Sequence, residues 1–185
     1  WTGSGSDPSL KPEESKTFET SLSYTLDNQR HLLSIYQVKN DNTAINFSGG
    51  ARNAGAREVV GLDYHGQYQM VLPVLGKTEL WNYLSLYLSE KEEKFDLTSG
   101  QRLGTGTIGD LAKQKLFLGM TSHLSDDINL TLMGRYISDR KTVESNPIDK
   151  IDAYWTMDAN LNFEDILFDG LSLGLKITNL FDTNY

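Results

Sequence analysis

The chain contains no cysteine, which removes disulfide frameworks, thiolate zinc sites and thiol nucleophiles together. It also lacks a long apolar run. The longest, Met70 to Leu75, is six residues and includes Pro73, far short of the roughly 18 a membrane helix requires. Positive charge is scarce: 17 Lys and Arg stand against 25 Asp and Glu, a formal net charge of -8. No basic cluster is present to displace counterions from a phosphate backbone, so no nucleic-acid partner is expected. Residue 1 is Trp, and no charged and apolar leader follows it, as expected of a chain processed or cut from a longer one. The mean hydropathy of -0.41 suits a soluble protein, but it also suits a barrel that needs apolar residues only at alternate strand positions.

What the chain does have is alternation, the pattern of strands with two unlike faces. From Ala153 to Phe163, Ala153, Trp155, Met157, Ala159, Leu161 and Phe163 share one face, opposite Tyr154, Thr156, Asp158, Asn160 and Asn162. The period of two returns from Leu171 to Thr178, where Leu171, Leu173, Leu175 and Ile177 oppose Ser172, Gly174, Lys176 and Thr178. Further strands are predicted around Phe18–Leu26, Leu32–Lys39, Val60–Gln69, Leu80–Leu88, Lys115–Leu124 and Ile128–Ile137. That makes about eight strands of roughly ten residues, the length of a tilted membrane strand.

The connections sort by length. Asp27–Arg30, Gln69–Lys77, Ser125–Asp127 and Glu164–Gly170 are short, whereas Asn40–Ala56, Glu90–Gln114 and Asp139–Ile151 are long, in strict alternation. Short turns at one rim and long loops at the other are the habit of outer-membrane barrels. Tyr24, Tyr36, Trp81, Tyr87, Tyr136, Trp155 and Phe163 are expected toward strand ends, as interfacial aromatic belts.

Several segments resemble one family. Leu10-Lys11-Pro12-Glu13 with Phe18-Glu19 resembles the L-x-P-E segment that opens a late barrel strand in TonB-dependent outer-membrane receptors. Asn53-Ala54-Gly55-Ala56 running into Gly61-Leu62-Asp63 resembles that family's N-x-G-x and G-x-E pattern, with Asp63 where Glu is usual. Gly100-Gln101-Arg102-Leu103 and the strand entering at Lys115 resemble a later stretch, without the proline often found there. Ile177-Thr178-Asn179-Leu180-Phe181-Asp182 to Tyr185 resembles the family's N-L-F-D-x-x-Y.

The resemblance implies an all-β fold: an antiparallel transmembrane β-barrel segment of about eight strands from a barrel of the 22-stranded type. Residues 1–185 would be the C-terminal barrel segment, with the plug domain and the final strand absent. It implies a bacterial outer-membrane location and ligand-gated import of a scarce nutrient, the ferric siderophore class first. Energy would come from TonB through regions outside this chain, and outer-membrane lipid would surround it.

No enzyme or cofactor is expected. Gly104-Thr105-Gly106-Thr107-Ile108-Gly109 satisfies G-x-G-x-x-G, but no buried strand precedes it and no helix follows, so it reads as a flexible surface loop. His31, His65 and His123 lack metal-ligand spacing, and paired carboxylates such as Asp126 and Asp127 fall in a predicted turn. Asn40-Asp41-Asn42 and Asp139 are oxygen-rich without the spacing of a calcium loop. Ligand contacts are instead expected from long-loop residues that grip an anion or stack on a flat group: Phe47, Arg52, Arg102 and Arg140. Two alternatives stay open here. One is a complete small outer-membrane barrel with a structural or adhesion role, to which the aromatic Tyr185 lends support. The other is a soluble carbohydrate-binding β-sandwich, in which the faces carrying Trp155 and Leu173 would pack on each other.

Overall fold

The computed structural model describes residues 10–48, 50–143 and 146–185, and none of these is helical. Eleven strands follow in order: β1 (Glu14–Leu26), β2 (Gln29–Phe47), β3 (Gly50–Leu72), β4 (Gly76–Phe95), β5 (Arg102–Gly106), β6 (Gln114–Ser125), β7 (Ile128–Ile137), β8 (Arg140–Lys141), β9 (Lys150–Ile151), β10 (Tyr154–Phe163) and β11 (Leu173–Ile177). One antiparallel sheet runs β1-β2-β3-β4-β6-β7-β10-β11, with β5 attached to the upper part of β4, and β8 and β9 form a separate small hairpin. The eight strands of the main path match the eight expected.

Register sorts the side chains. Leu22, Leu33, Tyr64, Leu84, Leu116, Tyr136 and Trp155 are cross-strand partners in one unbroken row from β1 to β10. One residue along, the row is Ser21, Ser34, Asp63, Ser85, Lys115, Ile137 and Tyr154. Because neighbours in a strand point to opposite faces, one face of the sheet is an apolar band and the other is largely polar. Among the described residues nothing covers the band. Among the described residues the only buried apolar side chains are Phe95 and Ala112, while Leu22 is 69%, Trp155 48% and Leu173 53% exposed. A sandwich needs a second layer on this face, and the described residues supply none.

Two expectations are corrected. Strands β2, β3 and β4 are 19, 23 and 20 residues long rather than about ten. Most of the predicted loop Asn40–Ala56 is therefore strand, because β2 and β3 continue as a ribbon beyond an irregularity at Asn40/Thr43. Glu90–Gln114 likewise begins as β4 and contains β5, and Asp139–Ile151 contains β8 and β9. The aromatic belt is also divided. Tyr24, Tyr136, Trp155 and Phe163 lie on the apolar face, but Tyr36, Trp81 and Tyr87 lie in register with Gly61, Gly119 and Gly61 on the polar face. There Trp81 occupies the space above Gly119, and Tyr36 the space above Gly61, that a side chain at either glycine would need.

The short turns lie where expected. Gly76 closes the β3–β4 turn with φ 66° and sits against the backbone carbonyl of His123. Glycine suits both demands, since it accepts a positive φ and has no Cβ.

Candidate functional site: the long-loop rim

All the long connections leave the same end of the sheet, and hydrogen bonds tie them into a rim. At the base of the β2–β3 ribbon, Asn42 takes φ 58°, and the Asn53 amide donates to the Asn42 carbonyl at 2.6 Å and the Lys11 carbonyl at 2.9 Å. The Lys11 N–H returns a bond to Asn53 Oδ1 at 2.6 Å, and the Glu13 carboxylate accepts from the Ala44 N–H at 2.9 Å. Two segments that carry the family resemblance, residues 10–13 and 53–56, thus meet in space.

At the ribbon's tip, the Arg52 guanidinium lies 5.6 Å above the Phe47 ring and donates to the Gly100 carbonyl. Phe47 also packs over Gly100, where a Cβ would meet its ring, and the Ser48 N–H donates to the Leu97 carbonyl at 2.8 Å. The β4–β5 turn is held in place by Asp96. Its carboxylate accepts from the Ser99 N–H at 2.6 Å, the Ser99 hydroxyl at 2.9 Å and the Thr98 N–H at 2.9 Å.

Those bonds, led by the one from the Ser99 backbone, hold the Asp96 carboxyl below the usual carboxylate range. A carboxyl with a depressed pKa stabilises the folded turn above its unfolded pKa, and that contribution is lost as pH falls through the folded value. Asp96→Asn should therefore raise hydrogen exchange at the Ser99 and Gly100 amides roughly fivefold near neutral pH. Wild-type protein should show the same loosening only in acid, and equal protection in both proteins at neutral pH would contradict this role for Asp96.

Arg102 stands on the next ribbon, paired with Phe95, and its Nε donates to Glu93 at 3.1 Å. Arg140 lies apart, on β8. The structure therefore joins Phe47 to Arg52, places Arg102 on the neighbouring ribbon and leaves Arg140 in a separate cleft.

That cleft opens where β4 and β6 part. Their last pair is Leu86 with Gln114, and above it β4 pairs with β5 while residues 107–113 cross back to β6. The gap is about 370 Å³, with Glu90, Ile108, Lys113, Tyr136, Arg140 and Lys141 in its wall. The Glu90 side chain is 3% exposed and accepts from Lys113 at 3.0 Å and from the Ile108 N–H at 2.6 Å. Asp110 donates its N–H to the Lys141 carbonyl at 2.8 Å. The G-x-G-x-x-G stretch is therefore a strand and a tethered crossing, not a loose loop.

The polar face carries features the linear reading passed over. Lys115 lies 5.6 Å above the Tyr87 ring and Arg135 lies 6.0 Å above the Phe117 ring. Both pairs were hidden because they join different strands, although the shared parity of Trp81, Tyr83, Ser85 and Tyr87 already placed three aromatics with a polar residue. His31 is on the apolar face, hydrogen-bonded to the Tyr64 hydroxyl at 2.8 Å, and His65 and His123 are on the other. Among the described residues no group of His, Asp or Glu could hold a metal ion. Asn40–Asn42 belongs to β2. Asp139 pairs with Lys150 at 3.1 Å, which holds the lysine's pKa up.

Near the end of the chain, the N-L-F-D stretch is a turn docked on the middle of β10. Asn179 takes φ 52°, its N–H donates to Asp158 Oδ1 at 2.8 Å, and the Leu180 N–H donates to the Met157 carbonyl at 2.6 Å. The Asn179 amide then clasps the Thr183 backbone with two 3.0 Å bonds.

A family model described as "TonB dependent receptor-like, beta-barrel" matches residues 1–180. The chain belongs to the TonB-dependent receptor β-barrel family. Solved structures agree on the fold. The FrpB iron transporter from Neisseria meningitidis (F3-3 variant) superposes with a TM-score of 0.71 at 14% identity, over 96% of this chain and 27% of that one. The siderophore receptor PiuA from Acinetobacter baumannii gives 0.75 at 19% identity, over 93% and 25%. The copper transporter OprC gives 0.69 at 15% identity, over 96% and 26%. This chain thus spans about a quarter of the length of these TonB-dependent receptors. No curated protein matches it. As a segment of such a barrel, the apolar band is the lipid face and the polar face is the interior, and among the described residues the sheet ends at β1 and β11 with one edge each unpaired.

Proposed function

We propose that this chain is the late barrel segment of an outer-membrane active transporter that imports a scarce nutrient, the ferric siderophore class first, with energy supplied by TonB. The plug and the strands that complete the barrel would belong to the rest of the polypeptide. The observation that carries the reading is the single-layer sheet with a bare apolar band outside and a polar, cation-bearing wall inside, topped by tall ribbons at one rim. Similarity to an iron transporter and a siderophore receptor supports the ligand class, and similarity to a copper transporter makes copper the natural counter-test. Of the residues expected at the ligand, Arg102 and Arg140 would meet it, while Phe47 and Arg52, bound to each other and to Gly100, would shape the rim around it.

The test is uptake by cells with and without the complete polypeptide. Deleting its gene should lower accumulation of iron supplied as a siderophore complex by about tenfold or more when iron is scarce, and depleting TonB should have the same effect. Uptake that persists in either strain, or a loss confined to copper, would overturn the assignment to iron chelates.

A further inference from the structure

We infer that the cleft between β4, the 107–113 crossing and β8 binds the carboxylate of a small ligand with a flat apolar body, and that Arg140 is its grip. The starting point is a hydrogen-bond donor without a partner. Among the described residues, Arg140 Nη1 is buried and has no hydrogen-bond partner. A buried ionised donor left unpaired is costly, and native proteins rarely tolerate one without an occupant.

The carboxylates at hand are already engaged. Glu90 is held by Lys113 and by the Ile108 N–H, and Asp139 is held by Lys150. Neither neutralises Arg140. Lys141, beside it in the wall, forms no ion pair among the described residues. Among the described residues the cleft therefore carries two cations, Arg140 and Lys141, that no carboxylate pairs with. A guanidinium is a planar fork of N–H donors whose geometry matches a carboxylate's two oxygens.

The rest of the wall sets the body of the ligand. Ile108 and Leu111 are apolar, and Tyr136, whose ring lies 4.9 Å from that of its cross-strand partner Trp155, joins them in the wall. A volume of about 370 Å³ lies at the lower end of the range for small-molecule sites. Its shape is held, because Glu90 anchors the crossing at Ile108 and the Asp110 N–H anchors it to β8. The inference rests on the transport reading only for placing this rim outside the cell.

The test is binding of benzoate, a carboxylate on a flat apolar ring, to the complete polypeptide purified in detergent micelles, followed by saturation-transfer NMR. Benzoate should bind wild type, and benzamide, its neutral isostere, should not. Arg140→Gln should weaken benzoate binding about tenfold or more, Arg140→Lys should restore only part of it because the charge returns without the fork, and Arg30→Gln, near the start of β2 at the opposite rim, should leave it unchanged. If Arg140→Gln fails to fold, Arg140→Lys and the benzamide control still decide the question. Unchanged binding in Arg140→Gln, equal binding of benzamide, or displacement by inorganic phosphate as effective as by unlabelled benzoate would each overturn the assignment. Binding is read on purified protein and uptake on cells, so benzoate can fail while iron uptake stands, and the reverse.

Discussion

Leu132→Arg is expected to destabilise the folded protein by about 2–4 kcal/mol, the cost of a cation near the middle of the lipid face of a barrel. Leu132 is the fifth residue of β7, flanked in register by Met120 and Ala159 on the apolar band. Met133→Arg, one residue along, should change stability by less than about 1 kcal/mol, because position 133 pairs with Asp158 and Gly119 on the interior face. Urea unfolding of the complete polypeptide in lipid vesicles measures both. Equal losses at the two positions would remove the distinction between the faces and with it the membrane reading.

The second large effect is expected at Gly119. The Trp81 indole lies across this glycine, and a Cβ there would overlap the ring. Gly119→Ala must push Trp81 off its seat, at a cost of about 1–3 kcal/mol typical of overpacking. A strain explanation makes a further demand: the cost should shrink in a Trp81→Ala background, since the atoms in conflict are then gone. A double-mutant cycle reads this coupling. Additive losses would mean that Gly119 matters through its backbone and not through the tryptophan.

Much of this architecture was legible in the linear chain because the two faces of a barrel wall meet different solvents. The parity of Trp155, Met157, Ala159 and Leu161, and of Leu171 to Ile177, assigns both strands to the lipid band without any knowledge of partners. Parity alone does not report height, and that is why the ribbons were read as loops. Residues 40–48 and 50–56 lie beyond the band, where both faces of a strand meet water and the apolar alternation fades, while the backbone goes on pairing regardless. The belt aromatics failed for a related reason: Trp81 and Tyr36 were placed by distance from a turn, but each pairs in register with a glycine that leaves room for a ring on the interior face.

The rim was legible only in part. Arg and Phe in long connections were chosen by side-chain chemistry, yet whether a cation is free or engaged depends on tertiary neighbours. Arg52 is turned to the Gly100 carbonyl, 48 positions away in the chain, and Arg102 to Glu93. The cleft at Arg140 has no linear signature at all, because it exists only where two strands separate and a crossing segment fills part of the gap.

The meander has a consequence for assembly. In the main sheet each strand of the path bonds to its neighbours in that order, β4 also carrying β5, and the turns Asp27–Asn28, Pro73–Leu75 and Asp126–Asp127 are very short. The entropic cost of closing a loop grows with its length, so each hairpin can zip from its turn without waiting for distant parts of the chain. The wall can then grow one strand at a time, and a backbone nick at a distal tip should slow that growth less than one at a tight turn.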